Sequence, residues 1–145
     1  LSLELGTSSL LQFGAELRLL ALTHWPPARY GCAWSGESRL PLTELGGTLK
    51  MKKSRSGGIS LARLLAAPVT VRVRQGGERF RPDAGRPRRS LKNLLQEARV
   101  PPWQRDRLPL LFSGNTLVYV PGIGIDTAYR AAGGESGVVP SWETR

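Results

Sequence analysis

Arginine side chains recur at every second position on both sides of a glycine pair in the middle of the chain. Arg72 and Arg74 precede Gly76-Gly77, and Arg79 and Arg81 follow it. Residues two apart on a strand share one face, and a glycine pair suits a two-residue hairpin loop. In such a hairpin Arg74 would face Arg79 across the two strands. Arg72 would face Arg81, two residues farther from the turn. Like charges directly across two strands oppose folding, so the pattern favours a face that binds an anion. The alternative is a loop that exposes these arginines to water.

A second group of basic residues surrounds a predicted helix and the turn that follows it. Its members are Arg88, Arg89, Lys92, Arg105 and Arg107. Ser90 suits the N-cap of a helix that begins at Leu91, but the cations at this end have the wrong sign for a helix N-terminus. A bound phosphate would turn the mismatch into a site, because unpaired N–H groups and cations would meet one anion. The alternative is a solvated basic end.

The positive charge of the chain is concentrated in its middle. The 145 residues carry 21 basic and 11 acidic side chains, a net charge of +10. Residues 46–71 hold five basic side chains and no acidic one, a net of +5, and residues 72–107 hold eleven against four, a net of +7. Residues 1–45 and 108–145 each have a net charge of −1. A localised excess indicates a surface for a polyanion, and nucleic acid is favoured over an anionic membrane because no long basic amphipathic helix is predicted.

The residue types that most enzyme sites require are sparse. His24 is the only histidine and Cys32 the only cysteine, which excludes a His/Cys zinc cluster and an internal disulfide. No pair of acidic residues has a spacing typical of acid–base catalysis. The run SGGIS at residues 56–60 is similar to the S-G-G-x-D-S loop of ATP pyrophosphatases, but serine replaces the aspartate and leucine the final serine. The sequence therefore predicts no catalytic, cofactor-binding or metal-binding residue.

Several short strands and a few short helices must position the cations, so the chain is predicted to be an α+β domain. Strands are favoured at residues 10–23, 30–34, 69–73, 110–112, 116–120 and 123–125, and after Gly46-Gly47. Ser113-Gly114-Asn115 is expected to close a hairpin. Short helices are expected at residues 61–66, capped by Ser60, and at 91–99, capped by Ser90, where an apolar stripe includes Ala98.

Trp103 follows this second helix. Pro101 is expected to end the helix, and Pro102 suits the first position of a new turn, which Pro109 limits. Large aromatic side chains beside proline usually anchor a corner, so Trp103 is predicted to be a half-buried packing residue. The alternative is a platform on which a nucleic acid base stacks.

Composition also predicts the limits of the domain. Residues 1–9 are expected to be a linker or the end of a preceding element, residues 10–130 the folded domain, and residues 131–145 a disordered tail. Glu4, Glu16 and Arg18 in the opening residues fit neither a signal peptide nor a membrane span. Together with the single cysteine, this predicts a cytoplasmic location, and the start at Leu1 is compatible with a piece of a longer protein.

Three runs of residues together resemble the C-terminal domain of tRNA(Ile)-lysidine synthetase. They are VRVRQGGERFRP at residues 71–82, RSLKNLLQEARVPPWQRDRLPLL at 89–111 and LVYVPGIGID at 117–126. The resemblance extends upstream through Trp34, Gly36, Leu40-Pro41 and Gly46-Gly47. Its specificity comes from the order of R-x-R-x-G-G-x-R, L-K-x-L, P-P-W-x-R and R-x-P-L-L, since no single piece would be specific.

The resemblance implies a three-layer β/β/α fold related to a module of the phenylalanyl-tRNA synthetase β chain. It also implies a place in an enzyme that uses ATP to activate the wobble cytidine of an isoleucine tRNA with a CAU anticodon, which free lysine then attacks. The family's S-G-G-x-D-S loop belongs to an N-terminal domain that these residues do not include. ATP and lysine are therefore implied as substrates of the full enzyme, and this chain is expected to be inactive alone.

For these residues the resemblance implies tRNA binding by a basic face, with tRNA and the catalytic domain of the same enzyme as partners and no membrane. The cations that this assigns are Arg72, Arg74, Arg79, Arg81, Arg88, Arg89, Lys92, Arg105 and Arg107. The competing hypothesis is a protein-interaction or stabilising domain that packs on the catalytic domain, with a basic face that is only solvated.

Overall fold

The computed structural model describes residues 30–144, so the linker predicted at 1–9 and the strand favoured at 10–23 lie outside the described residues. The strands are β1 (Gly31–Ala33), β2 (Arg39–Leu42), β3 (Gly47–Ser54), β4 (Ile59–Ser60), β5 (Val69–Arg72), β6 (Arg79–Phe80), β7 (Arg89–Ser90), β8 (Leu110–Ser113), β9 (Thr116–Val120), β10 (Gly124–Ile125) and β11 (Gly137–Thr144). The helices are α1 (Leu61–Leu64), α2 (Leu91–Glu97) and α3 (Pro102–Arg105), with 3-10 turns at Thr43–Leu45 and Thr127–Tyr129.

Most of the strands belong to two antiparallel sheets. The central sheet has the order β1-β5-β8-β9-β10, and the outer sheet has the order β2-β3-β11-β4. β6 and β7 form a separate two-stranded ribbon. β8 and β9 form the predicted hairpin, in which Gly114 has a φ of 60°, a left-handed conformation that glycine adopts without steric cost.

The first apolar core lies between the two sheets. Leu49 and Met51 of β3 contribute to it from the outer sheet, and Val71 and Leu111 contribute from the central sheet. Lysines alternate with these apolar residues of β3, as the sequence predicts for a half-buried strand. Burial of one face of each sheet therefore explains why the two sheets stack.

The second apolar core lies on the other face of the central sheet. Leu91 and Leu95 of α2 and Phe80 of the ribbon pack there against Leu110 and Phe112 of β8. The layers thus follow the order outer sheet, central sheet, helix. This arrangement confirms the α+β class and matches the β/β/α layering that the resemblance implies.

Both helix caps form as the sequence predicts. The Ser60 hydroxyl accepts a hydrogen bond from the Arg63 N–H at 3.4 Å, and the Ser90 hydroxyl accepts one from the Asn93 N–H at 3.2 Å. Ala98 is exposed, so the apolar stripe of α2 ends one turn earlier than the sequence predicts. The helix ends at Glu97, and the chain leaves the helical path at Arg99, which has a left-handed φ of 58°, before it reaches Pro101.

Residues 137–144 form a strand where the sequence predicts a disordered tail. β11 lies between β3 and β4 and pairs with β3 along its whole length, from Gly137 opposite Ser54 to Thr144 opposite Gly47. Val138 is 1% exposed in the first core. Residues 131–145 contain few of the residue types that favour strands, so the strand structure of this segment depends on pairing with residues far away in the chain.

The predicted hairpin at Gly76-Gly77 does not form. Both glycines have positive φ, 103° and 82°, as such a turn requires. However, β5 has β1 on one edge and β8 on the other, so no edge remains for the residues beyond the glycines. Arg79–Phe80 pairs instead with Arg89–Ser90. Residues 73–78 are therefore a loop, as in the alternative interpretation, but this loop does not expose all four arginines to water, because Arg72 and Arg74 are half-buried.

Candidate nucleic-acid interface

The β6–β7 ribbon and the β8–β9 hairpin border a polar cleft of about 250 Å³, which we call the arginine cleft. Its lining residues are Gly77, Glu78, Arg79, Arg88, Phe112, Asn115, Thr116, Leu117 and Asp126. Arg79 Nη2 donates a hydrogen bond to the main-chain carbonyl of Arg88 at 3.0 Å, and both residues line the cleft. Guanidinium groups suit the phosphate and sugar oxygens of a nucleic acid, and Asn115 and Thr116 add uncharged polar groups to the same lining.

The two carboxylates of the arginine cleft are engaged by the main chain. Glu78 accepts hydrogen bonds from two N–H groups of its own loop, at 2.6 and 3.0 Å. Asp126, which is 2% exposed, accepts from the N–H groups of Ala128 at 3.0 Å and Arg81 at 3.3 Å. Within residues 30–144, neither carboxylate forms an ion pair with Arg79 or Arg88.

Arg72 lies over the ring of Phe112, a residue that lines the arginine cleft. Its Cζ atom is 4.5 Å from the centroid of the ring, a cation–π distance. Arg72 Nε donates to the Thr70 hydroxyl and Nη2 donates to the Gly114 carbonyl, each at 2.9 Å. These partners are neutral, so they fix the guanidinium group and leave its charge intact.

Arg81 and Arg105 are held in the same way. Arg81 donates from Nε to the carbonyl of Arg86 at 2.8 Å and from Nη2 to the carbonyl of Ala84 at 2.7 Å. Arg105 donates from Nε to the carbonyl of Val100 at 2.9 Å. A guanidinium group has five N–H donors, so one or two carbonyl contacts leave donors for an external anion.

Among the predicted cations, Arg74 and Arg89 form ion pairs with carboxylates of residues 30–144. Arg74 Nη2 lies 3.3 Å from Asp106 Oδ1, a contact that joins the loop after β5 to the end of α3. Arg89 donates from both Nη atoms to the carboxylate of Glu97. The hydrogen bond with Arg89 lowers the pKa of Glu97, and the same contact raises the pKa of Arg89. These two arginines therefore have less charge to offer an external phosphate.

The cations predicted to converge on the start of α2 do not meet there. Arg88 lines the arginine cleft, Arg89 turns to Glu97, and Lys92 is exposed on the helix surface. The Leu91 N–H already donates to the main-chain carbonyl of Glu78 at 2.9 Å, so the helix start is partly satisfied. The structure gives this end of α2 no assembled phosphate site.

The structure groups six of the nine predicted site residues in two places, and Arg81, Arg89 and Lys92 lie outside both groups. Arg79 and Arg88 line the arginine cleft, and Arg72 contacts the ring of Phe112, which lines it too. Arg105 belongs to α3, Arg107 follows it in the chain, and Arg74 pairs with Asp106 at its end. Sequence reasoning missed Phe112 and Asn115, which line the cleft between the arginines. The hairpin signal located Asn115 in a turn, but nothing in the local pattern linked that turn to the arginines.

Trp103 is exposed, so the prediction of a half-buried packing residue is wrong. The residue is 65% exposed, and none of the four residues of α3 is buried. Leu108 is buried in the second core and Val100 packs against that core, so they fill the corner in its place. The indole is left exposed on the surface, in a segment whose sequence also contains Arg105 and Arg107.

Residues 30–144 contain no group of three His, Cys, Asp or Glu side chains placed to hold a metal ion. Within the same residues, no helix is both long enough and apolar enough to cross a membrane. Cys32 is partly buried on β1, where it packs against the first core.

The family model and similar curated proteins point to the same family. Residues 69–142 match the family described as the TilS substrate C-terminal domain. The chain is 50% identical over 109 residues to the tRNA(Ile)-lysidine synthase of Nitrosomonas europaea and 41% identical over 109 residues to that of Azoarcus sp.. Each alignment covers 75% of this chain, but only 24% and 23% of the relative. The chain thus spans about a quarter of the length of the curated relatives that it matches.

A solved structure has the same fold. A chain described as the crystal structure of the TILS C-terminal domain superimposes with a TM-score of 0.66 at 19% sequence identity. The match covers 80% of this chain and 97% of that one. The three runs of residues that carried the resemblance begin at residue 71 and end at residue 126, inside the region matched by the family. The chain belongs to the TilS substrate C-terminal domain family.

Proposed function

We propose that this chain is the non-catalytic tRNA-docking domain of a tRNA(Ile)-lysidine synthase. In this proposal the parent enzyme works in the cytoplasm and uses ATP to activate the wobble cytidine of an isoleucine tRNA with a CAU anticodon. A catalytic domain of the same protein then joins lysine to that base. The arginine cleft and Arg72 bind phosphates of the same tRNA and help to orient it.

The observation that supports this proposal most strongly is the set of arginines fixed by neutral partners. Arg72, Arg79 and Arg81 are each held by carbonyl or hydroxyl oxygens and keep their full charge. Fixing a long side chain before binding reduces the conformational entropy that is lost when the ligand arrives. Arginines that served only folding would be expected to pair with carboxylates, as Arg89 does with Glu97.

Phosphate contacts of this kind position an RNA and do not read its sequence. Selection of one tRNA needs base edges or the shape of the folded RNA. Asn115 in the arginine cleft has both donor and acceptor atoms that can contact a ribose hydroxyl. About five phosphate contacts should give a slope near −4 in a plot of log affinity against log salt concentration.

A charge-reversal experiment tests the proposal. The double variant Arg79→Glu/Arg88→Glu removes the two guanidinium groups of the arginine cleft, and Lys52→Glu/Lys53→Glu makes the same change of net charge on exposed residues of β3 in the outer sheet. RNA affinity, measured by titration at several salt concentrations, should fall at least about tenfold for the cleft variant, with the salt slope reduced by about 1.5. The β3 variant should change both quantities much less.

Two outcomes would overturn the proposal. Equal losses in both double variants would mean that the RNA responds to overall charge and not to the arginine cleft. Unchanged RNA affinity in the cleft variant would favour the alternative, a domain that packs on the catalytic domain with a solvated basic face. Thermal unfolding of each variant shows whether a loss of affinity reflects a loss of folded protein.

A further inference from the structure

We propose that the indole of Trp103 is a stacking platform for an unpaired RNA base. The site is the turn formed by residues 99–107, which we call the α3 corner. This inference rests on the proposed function, because it takes RNA as the ligand of the domain. It adds a second type of contact, since a base face on an aromatic ring involves no phosphate.

The fold does not need the Trp103 side chain. Among the described residues, the large apolar side chains that are exposed are Leu65, Trp103 and Val139, and Trp103 is the most exposed of them at 65%. The second core is completed near this point by Val100 and Leu108. A single exposed apolar side chain is common on protein surfaces, but tryptophan is enriched where one molecule covers another, because its ring is large and carries a polar N–H group.

The α3 corner holds the indole on a rigid support. Pro101 and Pro102 restrict the backbone on the N-terminal side of Trp103. The N–H groups of Gln104 and Arg105 both donate to the Pro101 carbonyl, at 2.9 and 3.2 Å. Arg105 Nε also donates to the Val100 carbonyl at 2.9 Å, which ties the end of α3 to its start. A base that stacks here therefore meets a surface that is already ordered.

The charge of the α3 corner favours RNA over an apolar protein partner. Arg99, Arg105 and Arg107 belong to the same nine residues as Trp103. The only carboxylate among those nine, Asp106, forms an ion pair with Arg74 of a neighbouring loop. An exposed aromatic ring in a basic segment is a combination found in surfaces that bind single-stranded nucleic acid, where the cations follow the backbone and the ring stacks on the base.

The test compares two RNA ligands and two substitutions at Trp103 in the full chain. The ligands are a short blunt RNA duplex and the same duplex with a single-stranded extension of a few nucleotides. Trp103→Ala should weaken binding of the extended RNA roughly five- to hundredfold, as expected for loss of one stacked base. The salt slope should not change, because stacking releases no counterions. Trp103→Phe should retain most of the affinity for the extended RNA, and binding of the blunt duplex should be the same in all three proteins.

Leu65→Ala is the matched control, since Leu65 is also an exposed apolar residue, at 56%, but lies beyond the end of α1. It should leave RNA binding unchanged.

Equal binding of extended RNA by Trp103→Ala and the unmodified chain would overturn the inference, and so would an equal loss on both RNAs. If RNA binding is intact in Trp103→Ala but association with the catalytic domain is lost, the indole contacts protein and the inference fails. Failure of the proposed function would give a different result, because the unmodified chain itself would then show no salt-dependent RNA binding.

Discussion

Arg99 has a backbone conformation that side chains other than glycine rarely adopt. Its φ is 58°, in the left-handed region, at the position just beyond the end of α2. The Arg99 N–H donates to the Gln96 carbonyl at 3.1 Å and the Val100 N–H donates to the Leu95 carbonyl at 3.0 Å, the hydrogen-bond pattern of a Schellman helix end. Glycine usually occupies this position because a Cβ atom costs roughly 1 kcal/mol there.

Replacing Arg99 by glycine should therefore stabilise the domain. We expect the free energy of unfolding to increase by roughly 1 kcal/mol, which raises Tm by a few degrees for a domain of this size. Thermal unfolding followed by circular dichroism measures the change. Arg99→Ala is the control, because it removes the charge and keeps the strained conformation. If both variants are stabilised equally, charge repulsion and not backbone strain is the cause.

The pairing of β11 with the outer sheet depends on close approach at its two ends. A Cβ atom at Gly47 would lie 2.3 Å from the carbonyl oxygen of Glu143, and one at Gly137 would lie 2.6 Å from the carbonyl oxygen of Gly57. Both distances are too short for any side chain, so glycine is required where these strands meet. Gly137, one of the glycines that make this segment appear disordered by composition, is thus part of what allows it to pair.

Two adjacent valines of β11 provide a test of its place in the fold. Val138 is 1% exposed in the first core, whereas Val139 is 41% exposed on the other face of the strand. Val138→Asp should destabilise the domain by more than about 3 kcal/mol, because it buries an unpaired carboxylate, and Val139→Asp should cost less than about 1 kcal/mol. Urea unfolding of the two variants gives both values. A disordered tail would instead tolerate the two substitutions equally.

At the scale of the whole molecule, three glutamates form side-chain contacts that hold the fold together. Two of them join residues that are far apart in the sequence, and the third joins the end of α2 to the strand β7 that precedes it. Glu97 pairs with Arg89, Glu143 with Lys50 at 2.8 Å, and Glu135 accepts a hydrogen bond from the Ser60 hydroxyl. In each case the side-chain hydrogen bond is the main cause that lowers the pKa of the glutamate from its ordinary value of 4.5. These groups hold their protons more weakly in the folded state than in the unfolded one.

The domain should therefore lose stability in acid. The contribution of a carboxylate with a lowered pKa is present above about pH 4.5, its unfolded value, and is lost as the pH falls through the folded pKa. Protonation also adds to a net charge that is already +10 at pH 7, which increases repulsion. Urea midpoints measured between pH 7 and about pH 3 should fall mainly below pH 4.5. In Glu97→Gln/Glu135→Gln the fall should be smaller, and an equal fall would show that other groups cause it.

Sequence alone determined the features that depend on neighbouring residues. The hydroxyls of Ser60 and Ser90 cap helices because the N–H groups that they accept from are only three residues away. The turn at Gly114 and the alternation along β3 follow from contacts within the same few residues. The ordered motifs between residues 71 and 126 also identified the family, and the concentration of cations between residues 46 and 107 needs no structure to be seen.

Tertiary structure decided which of these local features meet. Arg79 pairs across the ribbon with Ser90 and not across Gly76-Gly77, because both edges of β5 are taken by strands from elsewhere in the chain. β11 is ordered by β3, a strand more than 80 residues earlier, and Trp103 is exposed because other residues fill the core beside it. Which strands pair and which residues are buried depends on all the elements of the fold together. A pattern of neighbouring residues contains no information about the distant elements, so it cannot predict these features.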